Sequence, residues 1–110
     1  VMKNAGYEVE IASGWGGKCR GVFMKSIEDS KKIIEVDPTR YDLLVFVGGG
    51  GAYDQYYLDS DYLHFAKSAK AVAAICIAPS LLSDAGIYQK RHVTGRDNGF
   101  GTQVAYLQKN

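Results

Sequence analysis

The sequence predicts an α/β domain built on a central parallel sheet, and three features predict it. Two unbroken apolar runs, LLVFV at 43–47 and AVAAI at 71–75, have the length of strands and the continuous hydrophobicity of strands buried on both faces. Between them lies a segment with helical spacing, which supplies the crossover that two parallel strands need. Each run ends at a turn, GGGG at 48–51 and CIAP at 76–79. The two runs are therefore expected as adjacent central strands whose carboxyl ends share one cleft, the place where open α/β sheets bind ligands.

Taken in order, VMKNAG reads as the last turn of a helix closed by Gly6 in the left-handed conformation. The chain is accordingly expected to begin partway through an architecture. Residues 7–12 follow as a strand. SGWGGKCRG is glycine-rich and irregular, 22–27 reads as a short strand, and DPTRYD leads into the first apolar run. Residues 59–70 place Tyr62, Leu63, Phe65, Ala66 and Ala69 at helical spacing. Asp59, Ser60 and Asp61 stand at the start of this segment and Lys67 and Lys70 at its end, as capping and the helix dipole favour. Residues 79–85 read as a short helix closed by Gly86, and 92–95 as a further strand. The order implies right-handed crossovers with helices on both faces of the sheet.

Composition narrows the function. The 110 residues are 46% apolar, enough for one compact core. No repeat, low-complexity stretch or proline-rich linker marks a boundary, so 1–110 is read as a single domain. Thirteen basic and twelve acidic residues leave a net charge of +1, which gives no field favouring nucleic acid. No apolar stretch approaches the about 20 residues that span a bilayer, and the opening lacks the apolar segment of a secretory signal, so a soluble cytoplasmic protein is expected. The two cysteines, Cys19 and Cys76, lack metal-site spacing and read as free thiols. No metal and no cofactor are expected.

Cys76 is the principal candidate nucleophile. Ala74-Ile75-Cys76-Ile77-Ala78 follows the pattern small-x-nucleophile-x-small, in which small flanking residues permit the sharp strand-to-helix bend of a nucleophile elbow. Pro79 suits a first helical turn, and a thiol at a helix mouth is drawn toward thiolate. The plainer reading is a small buried residue that finishes a strand. The four glycines match neither a Walker loop, which needs Lys-Ser/Thr after its last glycine, nor a dinucleotide loop. They serve either as a tight strand exit or as bare backbone N–H groups facing a reacting oxygen. His64, His92 and the tyrosines Tyr53, Tyr56, Tyr57 and Tyr62 read as packing or surface residues.

Residues 41–95 resemble the central part of the ThiJ/PfpI family, which includes intracellular proteases, protein deglycases and glyoxalases. The family's YD, Pro-Gly-Gly, Val-Ala-Ala-Ile-Cys-x-Gly-Pro, leucine pair, Ala-Gly and Val-Thr meet Tyr41-Asp42, Gly48-Gly49-Gly50, residues 72–79, Leu81-Leu82, Ala85-Gly86 and Val93-Thr94. The resemblance implies a flavodoxin-like three-layer sandwich of the class I glutamine amidotransferase-like kind. It makes Cys76 the catalytic thiol, with the backbone of Gly49, Gly50 and Ile77 binding an oxyanion. It also implies a stress-response setting and a homodimer, the latter consistent with a sheet edge that needs covering.

The chain departs from the family at several places. Ile77 replaces the histidine that follows the cysteine in protease-like members, so an adjacent base is missing. Gly48 stands in the place of the usual proline, Ala78 in that of the glycine after the elbow, and Arg96 or Asp97 where some members carry another histidine. No residue here takes the role of the glutamate that many members hold at the end of their first strand, and a hairpin before residues 94–110 is expected to be absent. The resemblance thus implies action on small carbonyl compounds or carbonyl-modified amines, with the substrate a small molecule or a modified protein. An amide hydrolase is less favoured, and a redox sensor or chaperone using the same thiol is the alternative. Cys76 is expected to react faster than Cys19, despite Lys18 and Arg20 beside the latter.

Overall fold

The structure is a computed structural model that describes residues 2–21, 25–52, 59–95 and 102–109. Its contacts divide into two compact units, Val1–Val36 and Asp37–Asn110.

In the first unit, Lys3–Ala5 form a single 3-10 turn, and Gly6 closes it at φ +92°, its N–H donating to the Lys3 carbonyl. The helix end read from the sequence is present in this tighter form. Strand β1 (Ala12–Ser13) pairs in parallel with β4 (Lys31–Lys32), and β2 (Cys19–Arg20) pairs antiparallel with β3 (Ser26–Ile27). The strand expected over 7–12 is thus paired only at its last residue. A strand exists by virtue of its ladder, and among the described residues 7–11 have none, apart from the Ile11 carbonyl accepting from the Lys31 N–H. Of the strand expected over 22–27, only Ser26–Ile27 is a strand, and residues 22–24 lie outside the described residues. A 3-10 turn at Ile33–Glu35 buries Ile33.

The second unit carries the α/β core. A turn at Pro38–Arg40 is capped by Asp37, whose carboxylate accepts from the N–H and hydroxyl of Thr39 at 3.0 and 2.7 Å. Strand β5 (Leu44–Phe46) pairs in parallel with β6 (Val72–Ala74), in the register Leu44 to Val72 and Phe46 to Ala74. The expected parallel neighbours are therefore present. Between them runs α1 (Ser60–Ser68), where the Asp59 carboxylate accepts from the N–H groups of Asp61 and Tyr62. This cap answers donors that a helix leaves unpaired in its first turn. Helix α2 (Pro79–Asp84) packs against α1 and against α3 (Thr102–Lys109).

Leu44, Phe46, Tyr62, Phe65, Ala66, Leu81, Leu82 and Leu107 form the buried core of this unit. Leu81 and Leu82, each 1% exposed, are its most enclosed large side chains. Burying a leucine side chain is worth about 1.5–3 kcal/mol, so this pair anchors α2 firmly. Ser83 is buried as well, and its hydroxyl has no hydrogen-bond partner among the described residues.

Two expectations are corrected here. The apolar runs are not buried on both faces. Strand alternation puts Leu44 and Phe46 on the core side and Leu43, Val45 and Val47 on the other, where all three are exposed. Ile75, at the end of the second run, is exposed too. Residues 92–95, expected as a strand, have no ladder partner among the described residues and are irregular.

Candidate active site

The ladder between β5 and β6 continues one step beyond the strands, where the Ile75 N–H donates to the Phe46 carbonyl at 3.0 Å. The chain then turns sharply. Cys76 takes φ +65°, the left-handed region that a side chain with a Cβ seldom enters. Such a residue costs about 1–3 kcal/mol and persists only where its surroundings hold it. The surroundings are visible: the Ala78 N–H donates to the Ile75 carbonyl at 3.2 Å, and the Ser80 N–H to the Ile77 carbonyl at 3.2 Å. Pro79 opens α2, where its lack of an N–H is harmless. Ile77, Ala78 and Pro79 are buried, while Cys76 is half-buried. The turn is therefore pinned into the core on its helix side, with Cys76 itself less enclosed.

The end of β5 lies against this turn. Carrying the register on by two residues from Phe46 and Ala74 places Gly48 opposite Cys76. A Cβ on Gly48 would stand 2.8 Å from the Cys76 Cβ, 2.8 Å from the Ile75 carbonyl oxygen and 3.1 Å from the Ile77 nitrogen. Only glycine allows that approach. By contrast, Cβ atoms built on Gly49 and Gly50 would meet nothing within 4 Å. Gly49 has φ +110°, and its carbonyl accepts from the Ala52 N–H at 3.0 Å. Of the glycine run, Gly48 is thus the member whose lack of a side chain the elbow needs, whereas the sequence reading put Gly49 and Gly50 at the oxyanion. Any residue with a Cβ at 48 would force the elbow to shift.

The other candidates lie elsewhere. His64 is exposed on α1. His92 is exposed and lines a cavity of about 460 Å3 with Tyr88, Lys90 and Arg91. Burial raises the Tyr88 pKa there. Tyr62 is core, whereas Tyr53, Tyr56, Tyr57, Arg96 and Asp97 fall outside the described residues. Among the described residues no imidazole or carboxylate hydrogen-bonds to the Cys76 thiol, and no group of side chains has the makings of a metal site.

A second thiol setting went unread in the sequence. Cys19 Sγ lies 3.3 Å from Ser30 Oγ, which is itself 2.9 Å from Ser13 Oγ and 2.7 Å from the Gly17 carbonyl oxygen. The hydroxyls of Ser13 and Ser30 stabilise the thiolate and hold the Cys19 pKa below the ordinary thiol value, against a small opposing effect of burial. Lys18, counted as a neighbouring cation in the sequence, pairs instead with Glu28 at 3.4 Å.

With the geometry in place, comparison with known proteins assigns the chain. Residues 1–106 match the DJ-1/PfpI family. An uncharacterized protein of Methanocaldococcus jannaschii is 31% identical over 98 residues, covering 86% of this chain and 48% of that protein. Deglycase PfpI of Pyrococcus furiosus is 30% identical over 116 residues, covering 98% of this chain and 69% of its own. A deglycase of Thermococcus kodakarensis is 33% identical over 97 residues, covering 84% and 58%. The chain thus spans between about half and two thirds of the length of these relatives. The crystal structure of a ThiJ/PfpI domain protein from Brachyspira murdochii superposes with a TM-score of 0.85 at 26% identity, over 99% of this chain and 64% of that one. The fold is accordingly the flavodoxin-like α/β fold expected from the sequence. Among the described residues no helix is long and apolar enough to cross a membrane. On the family match, the deglycase relatives and the shared fold, the chain belongs to the DJ-1/PfpI family.

Proposed function

We propose that Cys76 is the nucleophile of a deglycase-like or glyoxalase-like reaction on a small carbonyl compound or a carbonyl-modified amine. The observation that carries this reading is the left-handed turn at Cys76, a non-glycine residue held at φ +65° with Gly48 packed beneath it. Backbone strain of this kind gathers at functional sites. The relatives named as deglycases support the same class of chemistry.

In this proposal the thiolate attacks an aldehyde carbon. The C–S bond forms as the carbonyl π pair moves onto oxygen, and protonation of that alkoxide gives a hemithioacetal. The exposed backbone of Gly49 and Gly50, together with the amide of Ile77, supplies the groups expected to stabilise the alkoxide. Removal of methylglyoxal by the protein, followed by absorbance and by product analysis, tests the reading. Loss of turnover in Cys76→Ala with full activity in Cys19→Ala supports it; undiminished turnover in Cys76→Ala overturns it.

A further inference from the structure

A cavity of about 490 Å3 in the first unit lies outside the chemistry proposed for Cys76, and nothing said so far gives it a role. Its size falls within the about 300–1,000 Å3 of small-molecule sites. Trp15 lines it and is 84% exposed. Tryptophan carries the largest apolar payload of any side chain and is on average highly buried, so one left open beside a cavity offers a flat face for something to lie on.

The loop that presents Trp15 is anchored on both sides. The Gly16 N–H donates to Ser13 Oγ at 3.0 Å, and the Gly17 N–H to the Ser30 carbonyl at 2.8 Å. Gly16 takes φ +73° and approaches β4 so closely that a Cβ on it would stand 3.2 Å from the Lys32 Cβ. Trp15 is therefore held next to the strand that carries Lys31 and Lys32. The nine-tenths buried Ser30 hydroxyl already serves Gly17, Ser13 and Cys19, so it forms wall rather than ligand contact.

The remaining lining decides the class of ligand. Two acids, Asp29 and Glu35, and two bases, Lys31 and Lys32, face the cavity, and with Glu10 on Lys31 the lining keeps a single net negative charge, which disfavours an anion. Lys31 is paired with Glu10 at 2.8 Å, whereas Asp29, Lys32 and Glu35 have no ion-pair partner among the described residues. Two open carboxylates accept hydrogen bonds from hydroxyl groups, and an ammonium donates to them. A neutral molecule with many hydroxyls and one apolar face matches this combination.

We infer that the Trp15 cavity binds a neutral sugar, its ring face on the indole and its hydroxyls on Asp29, Glu35 and Lys32. The site is independent of the chemistry proposed for Cys76 and stands or falls without it. Because Trp15 is the chain's one tryptophan, its fluorescence reports the site directly. Titration of the full chain with D-glucose is expected to give a saturable change in emission that added salt leaves unaltered. Asp29→Ala and Glu35→Ala should each weaken it about tenfold, the loss expected for one hydrogen bond to a charged group. Both residues are exposed, so these variants keep their fold, which circular dichroism checks. A linear response equal to that of glycerol overturns the inference. So does saturation by inorganic phosphate or spermidine in place of glucose, or an undiminished glucose affinity in both variants.

Discussion

Gly48 and Cys76 face each other across the end of the β5–β6 ladder so closely that one methyl group on the glycine would stand 2.8 Å from the cysteine Cβ. The contact couples two features that are costly apart: a strand exit without a side chain, and a thiol in a left-handed turn. Gly48→Ala must displace the elbow, because the colliding atoms include the Ile75 carbonyl and not merely a flexible side chain. Overpacking of this kind costs about 1–3 kcal/mol. A lower denaturation midpoint is expected, together with loss of the carbonyl chemistry proposed for Cys76. A Gly48→Ala protein with unchanged midpoint and activity would falsify the coupling.

The strain at Cys76 has its own signature. Cys76→Ala and Cys76→Gly both remove the thiol, but alanine keeps a Cβ in the left-handed region and glycine does not. The glycine variant should be the more stable of the two by up to about 1 kcal/mol, although glycine normally destabilises by increasing the freedom of the unfolded chain. Urea midpoints of the two variants, compared at equal slope, give the answer.

Ser83 offers a stabilising substitution. Its buried hydroxyl lacks a partner among the described residues, and it sits in α2, where alanine is the better helix former. Ser83→Ala should raise stability by about 1 kcal/mol, the order of cost of an unsatisfied buried polar group. Thermal unfolding would show the opposite shift if the hydroxyl held a partner.

The Cys19 thiol is predicted to titrate low because Ser13 and Ser30 favour its charged form. Ser13→Ala and Ser30→Ala each remove a stabilising hydroxyl, so the pH profile of Cys19 alkylation should move upward in both. Peptide mapping after iodoacetamide at a series of pH values measures it. Coincident profiles in wild type and both variants would show that the hydroxyls do not act on the thiolate.

Asp37 gives a pH dependence of known sign. The Thr39 hydroxyl and then the Thr39 N–H favour its carboxylate, so its folded pKa lies below the unfolded one. Its contribution is complete above the unfolded value and is lost as pH falls through the folded value. The stability gap between wild type and Asp37→Asn should therefore be widest near neutrality and close on acidification, as denaturation at stepped pH would record.

What could be read from sequence follows from how local each signal is. Asp59 and the spacing of Tyr62, Phe65 and Ala66 specify a helix within a dozen residues, and the structure has it. The turn at Cys76 was legible in part, since the small residues around it and the proline after it are contiguous, but the same residues also fitted a small buried residue finishing a strand. The partner of Cys76 was not. Which glycine faces it depends on the register of a ladder between segments far apart in the chain, and one residue of slip changes the answer. The Cys19 setting was hidden for the same reason, because Ser13 and Ser30 come together only through the pairing of β1 with β4. The strands expected over 7–12 and 92–95 had the composition of strands, but composition does not supply a neighbour to pair with.

The two sides of β5 also give the molecule a substitution map of period two. At Leu44 and Phe46 the side chain is part of the core, and truncation to alanine removes about 2–5 kcal/mol. At Leu43, Val45 and Val47 the same backbone faces water, so exchange of Val45 for threonine keeps the β-branched shape while making the surface more polar. Those three positions are where the protein can be made more soluble, or can carry a spectroscopic label, on the strand that leads to the elbow and without disturbing the ladder that holds it.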